Sequence, residues 1–347
     1  MTKKMKNNLK KLLVALAAGG LLAPASQAQI SLVTVGGNAS IKLIQNRLPT
    51  ILTGAVITTN PTNNLLFKAT GTFGGQSVDW EFNFTGGAGA ISDLANSTPV
   101  LLEDGVSTAV PQLAISATAP ETVGIDSSPY QEDFTIVVPV VFVKGSALGG
   151  VTNLTQRQAS YLESSGYSLP ASYFGGTNSD FVPYVGRNNL SAVRQLIDAG
   201  VYFSGSAANF TTNSSPPFTT PVPYVGAGSG TEVAAIVGVL TNSVGTVAAQ
   251  DIGSLPTLSY EGVPFSTTNV VNGTYPLWGY ERYIYIPGAF TTGQQNLVNS
   301  LEAAITATSF QTTSSLFIGK FVSLSVLNPV NGRSTSVDGG PIFSNQY

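Results

Sequence analysis

The chain has 347 residues, with 15 Lys and Arg against 18 Asp and Glu, and it contains neither Cys nor His. The two absences exclude disulfides, thiol nucleophiles, lipid attachment through Cys, and catalytic or metal sites built on imidazole. Charged residues are only 10% of the chain, and the abundance of Ser, Thr, Asn and Gly suits a secreted, strand-rich protein.

Residues 1–28 read as an export signal. Lys3, Lys4, Lys6, Lys10 and Lys11 form a basic leader, 12–22 is a mostly apolar run, and Ser26-Gln27-Ala28 is an A-x-A-like cleavage site, so the cut is expected before Gln29. The run is short for a membrane span, and no later stretch is long and apolar enough to form one. Because all five leader charges are Lys, the mature chain keeps 10 basic against 18 acidic residues, a net of about −8. Nucleic acid and anionic membrane surfaces need a basic face and are not expected partners. An anionic ligand would depend on local donors.

Strand-like and helical patterns then alternate, the mark of an α/β fold. Residues 30–35 read as a strand, and Gly36-Gly37-Asn38 turns into a helix carrying Ile41, Leu43, Ile44, Leu48 and Ile51 up to Gly54. Residues 134–144 form a β-branched run, 155–166 a short capped helix, 181–185 a strand, and 191–200 a helix with Val193, Leu196 and Ile197 inward. Helices over 231–240 and 292–307 each begin with Thr as the expected cap. The Ser, Thr, Asn and Pro-rich stretch 209–223 reads as a surface loop. Sequons at Asn83, Asn153, Asn209 and Asn272 matter only in a host that glycosylates them. About 320 mature residues suffice for two domains with good cores.

The segments that can carry chemistry are few. Gly36-Gly37-Asn38-Ala39-Ser40-Ile41 leaves a strand and opens a helix, so its free N–H groups could hold an anion beside the Ser40 hydroxyl; an ordinary tight turn is the competing reading. Gly86-Gly87-Ala88-Gly89-Ala90 and Gly226-Ala227-Gly228-Ser229-Gly230-Thr231 permit close backbone approach, and either could equally be a plain turn. Arg187 ends a strand four residues before Ser191 at a helix start, where a guanidinium fork suits an oxyanion or carboxylate; otherwise it is a surface ion-pair residue. Arg194 falls off the apolar helix face and is expected to be solvated. The adjacent acids Glu103-Asp104 and Glu132-Asp133 read as solvated loop charges rather than catalytic pairs.

Together with Leu154-Thr155-x-x-Gln158, Gly186-Arg187-Asn188-Asn189-Leu190-Ser191 and Asn272-Gly273-Thr274-Tyr275-Pro276-Leu277, the order of these segments resembles the phosphate-type extracytoplasmic solute-binding proteins, of the type 2 periplasmic binding protein superfamily. The resemblance implies a two-lobed α/β fold with a discontinuous first lobe: residues 29–139 and 259–347 in one lobe, 140–258 in the other. Crossings are expected near 139–144 and 255–268. It implies a ligand site at Ser40, Ile41, Gly87, Ala88, Thr118, Arg187 and Ser191, with no cofactor, no metal and no enzymatic activity.

Several positions depart from the family pattern. Ser40-Ile41 stands where Thr-Phe would be, Gly87-Ala88 lacks the serine of the family turn, and Ala192-Val193 replace Gly-Thr. Thr118, in Ser116-Ala117-Thr118-Ala119-Pro120, stands where the family has Asp, the group that accepts the proton of hydrogen phosphate and repels sulfate. The leading expectation is a periplasmic or extracellular binding protein for an oxyanion or small anion, serving an ABC transporter membrane complex. The alternative is an exported surface or structural protein with a degenerate, ligand-free version of the fold.

Overall fold

A computed structural model describes residues 28–165, 169–177, 181–201, 224–271, 274–307 and 318–319. The leader up to residue 27, the 209–223 stretch with its sequon, Gly166 and Asn272-Gly273 lie outside the described residues. Among the described residues no helix is long and apolar enough to cross a membrane.

The framework is one eleven-stranded mixed sheet. Its strands are β1 (Ile30–Gly36), β2 (Thr53–Thr59), β3 (Leu66–Phe73), β4 (Gln76–Asn83), β5 (Leu113–Ser116), β6 (Gln131–Lys144), β7 (Tyr184–Arg187), β8 (Tyr224–Ala227), β9 (Val244–Ala248), β10 (Trp278–Tyr285) and β11 (Ile318–Gly319). The spatial order is β8-β7-β9-β6-β10-β5-β1-β4-β3-β2, with β11 also paired to β6. The α-helices among the described residues are α1 (Ile41–Ile51), α2 (Gly87–Ala95), α3 (Gln156–Ser165), α4 (Ala192–Gly200), α5 (Gly230–Val239), α6 (Thr267–Val271) and α7 (Thr292–Thr306).

The long strand β6 joins the two halves. Its first part pairs antiparallel with β10, from Gln131 opposite Tyr285 to Pro139 opposite Trp278, and its last five residues pair with β9. Residues 135–144 are all buried, so this β-branched run is covered on both faces. Glu132 and Asp133 therefore belong to a strand and are not loop charges. Glu132 pairs with Arg282 at 3.1 Å, and Asp133 accepts the Tyr285 hydroxyl at 2.7 Å. At the switch of partners, Val140 donates to the Leu277 carbonyl at 2.9 Å, while the buried Tyr275 hydroxyl donates to the Val140 carbonyl at 2.8 Å.

Apolar periodicity sets most of the packing. Leu43, Ile44 and Leu48 turn α1 inward, and Val193, Leu196 and Ile197 do the same for α4. The hairpins β2-β3-β4 bury a stack of aromatic rings, with Phe67 4.4 Å from Phe82 and 5.7 Å from Phe84 between centroids. Thr155 and Gln158 form a reciprocal cap before α3, and Thr291 and Gln294 a capping box before α7. At α5 the cap is Ser229, whose hydroxyl accepts from Glu232 N–H at 3.1 Å, two residues ahead of the expected Thr231. Ser229 has the extended backbone an N-cap needs, whereas Thr231 is already helical.

Candidate functional site

The C-terminal ends of β1, β5 and β7 meet at the Gly36-Gly37 turn after β1 and the Gly86-Gly87 turn after β4. After β1 the chain runs through Gly36 and Gly37 into a short 3-10 turn and then α1. A Cβ on Gly36 would lie 2.5 Å from the Phe84 ring, so glycine is required for that aromatic side chain to close over the turn. Gly37 N–H donates to the Ile115 carbonyl at 3.0 Å, tying the turn to the end of β5.

From the other half of the sheet, β7 delivers Arg187 and α4 begins just after Ser191. A cavity of about 20 Å³ lies between these elements, walled by Gly37, Asn38, Gly87, Arg187, Ser191 and Glu281 among others. A water needs roughly 10–15 Å³ of such space, so the cavity as it stands has room for one or two.

Arg187 is 5% exposed. Its Nε donates to the Ala227 carbonyl at 3.3 Å and its Nη2 to the Gly228 carbonyl at 3.0 Å. Burial lowers its pKa to about 10, while the charges of Asp251 and Glu232 oppose that shift. Ser191 is 2% exposed, and its hydroxyl has no hydrogen-bond partner. Ser40 is fully buried behind the wall, donating its hydroxyl to Oε2 of Glu281. Glu281 presents its other oxygen, Oε1, without a partner, and burial pushes its pKa up to about 7 against the pull of the Ser40 hydrogen bond.

The remaining sequence-derived positions are placed differently. Gly87 lines the cavity; a Cβ there would meet the Ala192 methyl at 2.9 Å and Ser116 Oγ at 3.0 Å. Ala88 lies behind it, and its N–H donates to the Leu190 carbonyl at 3.0 Å. Thr118 is fully buried and turned back on the end of β5, its N–H on Ser116 Oγ at 3.2 Å and its hydroxyl 3.1 Å from the same atom. Ile115 and Ala117, rather than Thr118, line the cavity. Ile41 faces a second, larger space outside it.

Arg194 departs from its expected solvated position. It is 1% exposed, pairs with Asp198 at 3.4 Å and donates Nη1 to the Arg187 carbonyl at 3.3 Å. The reason is a second buried acid: Glu163, from α3, accepts the Tyr184 hydroxyl close by. Burial and mutual repulsion raise the pKa of Glu163, and burial raises that of Asp198, so the guanidinium is drawn inward to offset them.

No family model matches the chain, and no curated protein does. Solved structures do match. An ABC-type phosphate transport receptor from Vibrio cholerae is similar at 13% identity, TM-score 0.56, covering 83% of this chain and 99% of that one. A phosphate-binding protein from Stenotrophomonas maltophilia is similar at 12% identity, TM-score 0.57, covering 90% and 96%. The high-affinity periplasmic phosphate-binding protein PfluDING, solved with phosphate bound, is similar at 11% identity, TM-score 0.55, covering 89% and 96%. The chain has the fold of the phosphate-type periplasmic solute-binding proteins.

That two-lobed fold with a discontinuous first lobe explains the sheet order. β10, late in sequence, returns to lie between β5 and β6, and in doing so carries Glu281 to the cavity. Glu281 and Asp251 are not among the sites that the sequence motifs mark. One signal was available: Glu281-Arg282 interrupts the apolar run Trp278-Gly279-Tyr280 and Tyr283-Ile284-Tyr285 of a strand buried along its whole length. A charge in such a strand demands a partner or a task. Among the described residues no group of three or more Asp and Glu could hold a metal ion.

Proposed function

We propose that the protein is an exported solute-binding protein that holds an oxyanion-bearing solute between its lobes and passes it to an ABC transporter membrane complex. In this reading residues 1–28 direct export, 29–139 with 259–347 form one lobe, and 140–258 form the other. The observation that carries it is the meeting of a buried guanidinium, Arg187, with two buried unpartnered polar atoms, Ser191 Oγ and Glu281 Oε1, around one interlobe cavity. Buried polar groups without partners cost about 1–3 kcal/mol each, and a ligand that satisfies them recovers that cost.

Arg187 supplies charge, Ser191 a hydroxyl, and the Gly37 to Ser40 turn with Gly87 the close backbone. Glu281 takes the place of the carboxylate that Thr118 lacks. With a pKa of about 7 it can donate a hydrogen bond to an oxyanion when protonated and accept one from a protonated oxyanion when ionised. A tetrahedral oxyanion exceeds the space present, so its entry requires the lobes to part at the Leu190 to Ala88 contact, a hinge motion.

The test is thermal unfolding of the mature chain against phosphate, sulfate, molybdate and small carboxylates. A ligand at 100 times its dissociation constant adds about 2.7 kcal/mol. The absence of any shift at millimolar concentrations would remove the anion-binding reading. One observation favours a second reading, an exported structural protein with a ligand-free cleft. The Leu190 carbonyl occupies the Ala88 N–H at the start of α2, a position where an anion would otherwise accept.

A further inference from the structure

A second chamber of about 490 Å³ adjoins the inner cavity, and Asn38 and Asp251 belong to the walls of both. The volume falls in the roughly 300–1,000 Å³ range of organic ligand sites and far exceeds what a single inorganic anion needs. Most of its lining side chains are polar, with Ile41 and Leu65 as the apolar members. Gln45, Asn63, Asn64 and Gln250 contribute amides, Thr62 and Thr231 hydroxyls, and Lys42 and Asp251 are its only charges.

Both sides of the chamber are preset. On the first lobe, Asn60 is 7% exposed and its side-chain oxygen accepts from Thr62 N–H at 3.0 Å, Thr62 hydroxyl at 2.9 Å and Asn63 N–H at 2.8 Å. This fixes the loop that carries Asn63 and Asn64. On the second lobe, the capped start of α5 presents Thr231, whose hydroxyl lies 3.0 Å from that of Ser229. Between them Asn38 donates Nδ2 to the Gly228 carbonyl at 3.4 Å, while its buried Oδ1 has no partner. Amide side chains donate and accept at once, which matches hydroxyl groups that do the same. An apolar ligand body would leave them unsatisfied, and a second strong charge would find only Lys42 and Asp251.

We propose that the solute is a phosphate monoester of a sugar or polyol, with its anionic head toward Arg187 and its hydroxylated body in the outer chamber against Asn64, Gln250 and Asp251. This rests on the anion-binding reading above and adds the substrate class. The experiment is calorimetric titration of the full mature chain with glucose 1-phosphate, glycerol 3-phosphate, inorganic phosphate and glucose, repeated on Asn64→Leu and Gln250→Leu. Both variants alter wall residues outside the core. The expected result is that the esters bind at least about tenfold more tightly than inorganic phosphate. Each variant should weaken the esters about tenfold and leave inorganic phosphate unchanged. Equal affinity for esters and phosphate with silent variants overturns the proposal while leaving the anion-binding reading intact. Glucose binding as tightly as its phosphate overturns the role of the anionic head. Binding of none of the four, together with no response to sulfate, molybdate or carboxylates, overturns both.

Discussion

Ala88, at the start of α2, donates its backbone N–H to the carbonyl of Leu190, just ahead of α4, at 3.0 Å, and this contact closes over the Gly86 to Ala90 turn. The carbonyl is the protein's own negative dipole end, seated where α2 begins. A Cβ on Gly86 would lie 2.8 Å from the same oxygen, so glycine is what allows the turn and the Leu190 backbone to meet this closely.

Gly87→Val should hold them apart. The new side chain would collide with the Ala192 methyl and Ser116 Oγ, costing about 1–3 kcal/mol by overpacking. A larger radius of gyration in solution scattering is the expected companion. An unchanged radius with unchanged stability would mean that the Ala88 to Leu190 contact does not set the closed form.

Arg187→Ala should weaken an oxyanion ligand by about 1.5–3 kcal/mol, roughly tenfold to more than a hundredfold. The control is Arg157→Ala, since Arg157 is exposed at the start of α3 and distant in sequence from every wall residue. Titration calorimetry on both, with folding checked by circular dichroism, measures the difference. Equal losses in the two variants would place the anion elsewhere.

Glu281→Gln should change stability in a pH-dependent way. The folded carboxyl has a pKa near 7 against an ordinary 4.5, so the native state binds the proton more tightly than the unfolded chain. The favourable contribution is present below pH 4.5 and is lost progressively as the pH rises through 7. The loss is about 3 kcal/mol, from 1.36 kcal/mol per pKa unit. Gln mimics the protonated form, so the variant should match the parent at pH 4.5 and exceed it at pH 8. Other buried acids cancel in that difference. Parallel pH curves for the two proteins would contradict the assignment.

Arg194→Ala leaves Asp198 and Glu163 buried without their guanidinium and should destabilise the fold by about 3–5 kcal/mol. Urea unfolding checks the magnitude. Partial rescue by adding Asp198→Asn would tie the cost to charge, whereas a small effect in the single variant would show that water reaches the acid pair.

Cleavage before Gln29 is expected from Lys3, Lys4, Lys6, Lys10 and Lys11, the apolar run and Ser26-Gln27-Ala28. Intact mass of the exported protein decides it, and a mature chain retaining residues 12–22 would refute it.

The alternation of elements, the sheet-filling run 134–144 and the inward faces of α1 and α4 were legible because burial writes a period into the sequence. Arg187 was legible as a cation between strand and helix. What was not legible depended on tertiary partners. Arg194 sits off the apolar stripe of its own helix, and only the arrival of Glu163 from α3 makes that position an interior one. Glu281 acquires its setting from Ser40, 241 residues away in sequence. Thr118 was aligned by its neighbours Ser116 and Pro120, but side-chain direction follows local hydrogen bonds, and the bond to Ser116 turns it from the cavity. The hairpin 53–83 was passed over because its outer strand exposes most of its residues and carries little apolar alternation.

The place of β10 has a kinetic consequence. As the chain grows from its N-terminus, β5 and β6 can be present, yet they do not touch each other, because Trp278–Tyr285 must lie between them. More than a hundred residues emerge between β6 and β10 before that gap is filled. Pairings so distant along the chain close slowly, and the unfilled edges of β5 and β6 remain open templates meanwhile. The half of the sheet that begins first along the chain thus closes last.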